Sequence, residues 1–219
     1  FYLNEKNSNK LIKLAIEQIH KIEVIKPDES IFSDFEKITE NNLYLFKKFF
    51  LEEFLEVTEL ENLKEEIDEF YSTIISELKD HPKVINHYDF ESRNLISLSE
   101  KKIGVIDFQD ALIGPLGIDL ASIFKDLYKK WTKEEIVDWL DFYIENSQIV
   151  KTASLKTAEV KRMVDIASLQ RQTRILGKLS QVFLELKRSE RLKDFKTILK
   201  YLMTTSLEYD ETKRYSDFF

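Results

Sequence analysis

Apolar residues recur at helical spacing in three stretches of the first 80 residues. The pattern predicts one helix from about residue 7 to 26, a second from about 39 or 41 to 54, and a third from about 60 to 78. Pro27 and Pro82, which cannot continue a helix, follow the first and the third. Aromatic residues at this spacing, in the second helix and near residue 140, are expected in the core rather than on a ligand surface.

The spacing of apolar residues changes from helical to β-type between Val84 and Phe108. Short β-type runs at 84–85, 94–98 and 103–106 predict a small hairpin, with its tight connection at residues 99–102. Gly and Pro then interrupt the chain at 114–117. Helical periodicity returns at about 118–130, 133–146, 157–187 and 190–209. The predicted fold class is therefore mainly α with a small β-hairpin insert, an α+β protein.

The amino-acid composition agrees with a mainly helical fold and excludes several classes of function. The 219 residues suffice for one folded unit, and 4 Gly and 3 Pro are too few for a turn-rich β-sandwich. A net charge of -7 argues against nucleic acid or an anionic membrane surface as partner. The chain has no Cys, which excludes thiol catalysis and a Cys-rich zinc site and is compatible with a cytoplasmic location.

Polar residues interrupt the hairpin where it needs only apolar residues and turn formers. His87, Asp89 and Asn94 form H-x-D-x-x-x-x-N, and Asp107 ends the later apolar run in I-D-F. This is the spacing of a kinase catalytic loop and its metal-binding Asp. Asp89 is the candidate base, Asn94 and Asp107 are candidate Mg²⁺ ligands, and His87 is expected to brace the loop. The alternative, that these are ordinary turn residues, is disfavoured by agreement in residue type, order and context.

Residues 84–128 resemble the catalytic core of the aminoglycoside phosphotransferase family, the kinase-like small-molecule kinases. The resemblance rests on D-F-x-x-R-N, I-D-F-Q-D-A and G-P-x-x-x-D-L-A-S in this segment, and a helix containing L-Q-R-Q-T-R-I-L-G is also similar. These pieces look closest to the bacterial sugar kinases that phosphorylate N-acetylmuramate and N-acetylglucosamine at C1 in cell-wall recycling. The resemblance implies a kinase-like C-terminal lobe that uses ATP and Mg²⁺, with Asp119 tying down the catalytic loop.

Five further residues are weaker candidates for binding the acceptor. Arg93 lies inside the loop, and Gln109 and Asp110 follow the metal-binding Asp, so all three could face an amino sugar. Arg171 and Arg174 lie one helical turn apart and could meet an acidic sugar substituent. The alternative for Arg93 is a solvated side chain, and for Arg171 and Arg174 a solvated or salt-bridged helix face.

The family also has an upstream lobe, with a phosphate-covering loop and a Lys–Glu pair, that is not found in this sequence. Residues 1–219 are therefore expected to be the catalytic and substrate-binding lobe alone, with Phe1–Leu3 just after the hinge. Two alternatives remain: an acceptor such as an aminoglycoside, choline or another amino alcohol, and a non-catalytic kinase-like binding module. The sequence leaves the choice between ATP and GTP open.

Overall fold

A computed structural model describes residues 7–26, 34–57 and 60–216 of the chain. Where length suggested one folded unit, the backbone contacts form two compact units, each made of discontinuous segments. The first unit comprises residues 1–33 and 81–165, and the second comprises 34–80 and 166–219. Phe1–Leu3 and Pro27, on which two expectations rested, lie outside the described residues.

The first unit contains the predicted β insert between helices. In chain order its elements are α1 (Ser8–Glu23), β1 (Lys83–Asn86), β2 (Leu95–Ser99), β3 (Lys102–Val105), β4 (Leu112–Pro115), α4 (Ile118–Phe124), α5 (Lys133–Asn146), α6 (Gln148–Thr152) and the start of α7 (Thr157–Leu186). Short 3-10 turns at Ser92–Asn94 and Phe108–Asp110 stand at the ends of the hairpin. Both turns fall in the segments that carry the candidate site residues.

Helix α1 forms because one face of it is apolar. Ile12, Ala15, Ile16 and Ile19 lie on that face and are buried, and the helix packs against β1, β3, α4 and α5. Trp139 on α5 is also buried, and its indole nitrogen donates to the Asn9 side chain at 3.0 Å. Burial of these apolar side chains supplies the main driving force for this unit.

The strands form two separate antiparallel pairs. β2 and β3 make the predicted hairpin, with Leu95 opposite Val105. β1 pairs with β4, with Asn86 opposite Leu112, although the prediction treated residues 114–117 only as a chain break. Pro115 is tolerated because it is the last residue of β4, where its missing N–H costs the ladder little.

Helix α4 differs most from the sequence pattern. It begins after Gly117, whose φ of 103° is unfavourable for other residues and whose added Cβ would lie 3.0 Å from the Met163 carbonyl oxygen. It ends at Phe124 rather than near residue 130. The reason is local: the Asp126 carboxylate accepts the backbone N–H of Tyr128 at 2.6 Å, a turn contact that replaces the helical ladder.

The second unit is helical throughout its described part. It contains α2 (Phe35–Leu45), which continues as a π-helix (Phe46–Phe54), then α3 (Leu60–Asp80), the rest of α7, a 3-10 turn (Leu192–Asp194), α8 (Phe195–Ser206) and α9 (Asp210–Lys213). α2 begins earlier than predicted because the Asp34 side chain caps it through the Lys37 N–H. The short helices α6 and α9 were not predicted.

The phenylalanines at helical spacing in the second unit pack in its core, as expected: Phe46, Phe49 and Phe50 are buried, and Phe54 is half-buried. Phe50 meets Phe195 edge-on with ring centroids 5.7 Å apart, and Phe54 meets both Phe195 and Phe183 in the same way. Gly177 on α7 lets the backbone at residues 45 and 46 approach, since an added Cβ would lie 2.6 Å from the Phe46 nitrogen.

The prediction of a mainly α fold with a small β insert is confirmed. Within the described residues, no helix is both long and apolar enough to cross a bilayer.

A buried polar cluster joins α1 to α5 in the first unit. The Tyr143 hydroxyl lies 2.9 Å from both carboxyl oxygens of Glu23, and the His20 ring stacks on Tyr143 at 4.8 Å. Burial raises the pKa of Glu23 to about 8, with a further contribution from the Asp119 charge. Burial lowers the pKa of His20 to about 4. Both groups are therefore neutral in the folded protein over a wide range around pH 6.

Glu23 makes the folded state less stable as the pH rises toward 8. The folded protein keeps a proton on Glu23 up to about pH 8, whereas the unfolded chain releases it near about pH 4.3. Its contribution to stability is therefore complete at low pH and declines between these values by at most about 1.4 kcal/mol per pH unit. His20 is neutral in the folded protein in this range, and its unfolded form, with an ordinary pKa of 6.5, loses its remaining protons within about one pH unit above that value.

We expect Glu23→Gln to flatten the decline in the free energy of unfolding between pH 6.5 and 8. Urea unfolding at several pH values measures it, with exposed Glu17→Gln on the same helix as the control that retains the wild-type slope. Equal slopes in wild type and Glu23→Gln would show that Glu23 is ionised at neutral pH.

Candidate active site

Two backbone N–H groups at the end of β1 are held by one buried carboxylate. Asp119, in the first turn of α4, accepts from the His87 N–H at 2.7 Å through Oδ2 and from the Tyr88 N–H at 2.9 Å through Oδ1. The residue is 2% exposed. Each oxygen thus serves a different residue of the loop that leads to Asp89.

Two non-glycine residues of the site have left-handed backbone. Tyr88, directly before Asp89, has φ 71°, and Asp107 has φ 70°. Such conformations cost about 1–3 kcal/mol each and persist only where surrounding contacts enforce them. For Tyr88 that contact includes the bond to Asp119.

The Asp89 carboxylate is oriented by two donors from the following 3-10 turn. Its Oδ2 accepts from Arg93 Nη2 at 2.8 Å and from Asn94 Nδ2 at 3.0 Å. Asn94 Nδ2 also donates to the Asp89 backbone oxygen at 2.8 Å. The side chain is 22% exposed, so it is fixed yet reachable from solvent. A carboxylate held in this way can accept a proton from a bound hydroxyl.

Arg93 links Asp89 to a second acidic residue. Its Nε lies 2.8 Å from Glu91 Oε2, and its guanidinium lies 5.7 Å from the ring centroid of Tyr128. Partial burial opposes its charge, but the carboxylates of Glu91 and Asp89 outweigh this and raise the pKa of Arg93 above its usual value. Arg93 is therefore a permanent cation beside Asp89. Tyr128 is a neighbour of the site that the sequence analysis did not identify.

The hairpin brings Asn94 and Asp107 to neighbouring strand ends. The Ile106 N–H donates to the Asn94 carbonyl at 3.0 Å, and Asp107 is the next residue. Asn94 Nδ2 is committed to Asp89, which leaves its Oδ1 as the acceptor, and Asp107 is exposed. The described residues contain no group of three His, Cys, Asp or Glu side chains that could hold a metal ion. One amide and one carboxylate oxygen fit Mg²⁺, which commonly takes one or two protein carboxylates together with substrate phosphates.

The His87 side chain connects the loop that leads to Asp89 with the strand end before Asp107. Its Nε2 lies 2.9 Å from the Ile106 carbonyl oxygen, so this nitrogen is the protonated one, and its ring meets Phe90 edge-on. Its Nδ1 is buried and has no hydrogen-bond partner among the residues that the structure describes. The contact links the loop before Asp89 to the strand end before Asp107, and the bracing role of His87 stays a prediction.

The weaker candidates are distributed over both units. Gln109 and Asp110 lie in the exposed 3-10 turn after Asp107. Arg171 and Arg174 belong to the second unit, where Arg171 is buried and Arg174 half-buried. They do not form a uniformly solvated face, and their binding role stays a prediction.

One further carboxylate touches the loop and was missed. Asp126 is fully buried, and its Oδ2 accepts the Ser92 N–H at 2.8 Å. In the sequence it lies within a stretch of helical periodicity, F-K-D-L-Y, in which an Asp is unremarkable. Its contact with Ser92 becomes visible only in the structure, where α4 ends before Asp126.

Curated relatives share part of this chain. An N-acetylmuramate/N-acetylglucosamine kinase of Pseudomonas putida is 26% identical over 181 residues, which are 82% of this chain and 53% of the relative. An enzyme of the same name from Neisseria meningitidis serogroup B is 31% identical over 143 residues, 64% of this chain and 42% of the relative. The chain thus spans about half the length of the curated relatives it matches.

Solved structures share its fold. An ethanolamine kinase of Plasmodium vivax aligns with a TM-score of 0.66 at 16% identity, covering 94% of this chain and 61% of that one. Choline kinase LicA from Streptococcus pneumoniae aligns with a TM-score of 0.58 at 16% identity, covering 93% and 67%. The sequence model of the phosphotransferase enzyme family, abbreviated APH, matches residues 2–153, more than half of the chain. The chain belongs to the phosphotransferase enzyme family.

Proposed function

We propose that this chain carries the catalytic and acceptor-binding part of an ATP-dependent kinase that phosphorylates a small-molecule hydroxyl. The observation that carries the proposal is the Asp89 carboxylate, oriented by Arg93 and Asn94 at the end of the hairpin that also presents Asp107. A base and two metal-ligating oxygens on adjoining loops are the parts that phosphoryl transfer requires.

Asp89 acts as the base in this proposal. The acceptor oxygen forms a bond to the γ-phosphorus while its proton passes to an Asp89 oxygen, and the bond from that phosphorus to the bridging oxygen of ADP breaks. Asn94 Oδ1 and the Asp107 carboxylate would hold Mg²⁺, which would neutralise charge on the phosphates. The protein's contribution is mostly positioning, because little covalent chemistry falls to its side chains.

Asp119 and His87 keep the loops in place. Asp119 holds the backbone that precedes the base, and the His87 ring ties that loop to the strand end before Asp107. Neither side chain reaches the reacting atoms in this proposal. Each acts by limiting the positions that the base and the metal ligands can take.

The proposed acceptor is an N-acetyl amino sugar phosphorylated at its anomeric hydroxyl. The names of the Pseudomonas and Neisseria relatives support it, since they match this chain over more than half of its length. Gln109 and Asp110 would hydrogen-bond a neutral sugar, and Arg93 would meet a carboxylate such as that of N-acetylmuramate. An aminoglycoside or an amino alcohol is the rival acceptor, supported by the fold shared with choline kinase.

We also propose that the nucleotide contacts beyond Asn94 and Asp107 come from chain outside residues 1–219. The 53% coverage of the Pseudomonas relative leaves room for such a portion. The non-catalytic alternative is disfavoured, since a binding module has no need of an oriented Asp89. A cytoplasmic location stays a prediction.

Asp119→Asn is expected to loosen the loop. An amide oxygen can serve only one of the two N–H groups, and its NH₂ then opposes the other, so the free energy of unfolding should fall by about 1–3 kcal/mol. Urea unfolding measures this, with exposed Asp138→Asn on α5 as control. An Asn variant as stable as wild type would contradict the role.

Asp89→Asn and Asp107→Ala should fail in different ways. In protein from the complete coding sequence, Asp89→Asn is expected to lower kcat by about 10²–10⁴ and leave Mg²⁺-ATP binding intact. Asp107→Ala is expected to weaken Mg²⁺-dependent nucleotide binding itself, as measured by calorimetry. Exposed Asp141→Asn is the control for both. Wild-type kcat in Asp89→Asn, or unchanged Mg²⁺-ATP affinity in Asp107→Ala, would refute the corresponding role.

The acceptor is tested by a panel. Protein from the complete coding sequence is incubated with Mg²⁺, ATP or GTP, and N-acetylmuramate, N-acetylglucosamine, an aminoglycoside or choline, and phosphorus NMR locates the product phosphate. We expect a sugar 1-phosphate formed with ATP. Phosphate on an aminoglycoside or choline hydroxyl would overturn the sugar assignment but leave the proposed roles of Asp89, Asn94 and Asp107 standing. Absence of transfer to any of the four acceptors would contradict the proposed acceptor classes.

A further inference from the structure

Asp126 makes two contacts that the proposed chemistry has not yet used. Its Oδ2 accepts the N–H of Ser92 at 2.8 Å, and its Oδ1 accepts the N–H of Tyr128 at 2.6 Å. The residue is fully buried. A carboxylate out of contact with water is costly unless its oxygens are well satisfied, so these bonds hold it firmly in one orientation.

The Ser92 contact lies at the start of the turn that orients the base. Ser92 is the first residue of the 3-10 turn whose other two residues are Arg93 and Asn94. Both of these side chains donate to Asp89 Oδ2. A displacement of the Ser92 backbone would therefore move both donors together.

The Tyr128 contact acts on Arg93 from another direction. Asp126 fixes the Tyr128 backbone, and the Tyr128 ring centroid lies 5.7 Å from the Arg93 guanidinium. Cation–π contact at this range restrains a guanidinium. Arg93 is thus held in two ways, by the backbone of its own turn and by the Tyr128 ring. Asp126 fixes both the turn and the backbone of Tyr128.

We propose that Asp126 is a positioning residue, which sets the orientation of the Asp89 carboxylate by fixing the Ser92–Asn94 turn and the Tyr128 ring. This rests on the proposed function, in which Asp89 is the base. Asp126 touches no reacting atom. Its effect falls on the alignment of the base with the acceptor hydroxyl and not on the affinity for either substrate.

The test is Asp126→Asn in protein from the complete coding sequence. The change keeps the shape, but only one oxygen remains, and the amide NH₂ then faces the other N–H. We expect kcat to fall about 10- to 100-fold, with KM for acceptor and for ATP within about threefold of wild type. The matched control is Asp165→Asn, which removes a buried carboxylate of the same unit that pairs with Lys161 and Lys125. Its kcat is expected within about threefold of wild type.

Other outcomes overturn the proposal. If folded Asp126→Asn keeps wild-type kcat, if KM rises while kcat stays unchanged, or if Asp165→Asn loses kcat equally, Asp126 does not position the base. A purely structural residue would lower the folded fraction without lowering kcat per folded molecule.

Hydrogen exchange gives a second readout that needs no activity. The Ser92 amide proton should exchange slowly in wild type and in Asp165→Asn, and at least about tenfold faster in Asp126→Asn. Should Asp126→Asn fail to fold, fast exchange at Ser92 in the wild type would still refute the contact, and slow exchange would support it. If wild type phosphorylates nothing, the proposed function fails by itself, and exchange at Ser92 alone then decides whether Asp126 fixes the turn.

Discussion

The site depends on a buried carboxylate that holds two backbone N–H groups where the chain turns from β1 toward Asp89. Tyr88 has a backbone conformation that an L-residue adopts only under constraint, and Asp119 supplies part of that constraint. The same carboxylate holds His87, whose ring reaches the strand end before Asp107. Removing this acceptor would leave two N–H groups buried and unpaired, a cost that the loop could avoid only by moving.

The bounds of the helices could be predicted from the sequence where burial of apolar side chains alone determines them. In α1 and α3, apolar residues at helical spacing end near a Pro, and the predicted and observed bounds agree closely. Prediction failed where a polar side chain or a distant strand decides the backbone. Asp126 ends α4 early through a side-chain contact, and β4 exists because β1 pairs with it. Neither partner can be identified from local periodicity.

The candidate site residues were easier to find in the sequence than the contacts that hold their loops. Asp89, Asn94 and Asp107 stand out because polar residues at those spacings are out of place in a hairpin, and the structure brings them to adjoining loops. The left-handed backbone at Tyr88 and Asp107 leaves no mark in the residue types, since neither is Gly. Asp126 shows the same limit, because its function depends on a contact 34 residues away in the chain.

Four carboxylates around one loop differ in what surrounds them, and that difference matches the roles proposed for them. Asp119 and Asp126 are buried and spend both oxygens on backbone N–H groups, so they have none to offer a substrate. Asp89 is partly exposed and is aimed by side-chain donors, which suits a group that must exchange a proton. Asp107 is exposed, which agrees with the proposal that it is a metal ligand shared with a nucleotide. Burial and hydrogen bonding thus divide four similar residues into two that support the backbone and two that are free to meet a substrate, as the proposed roles require.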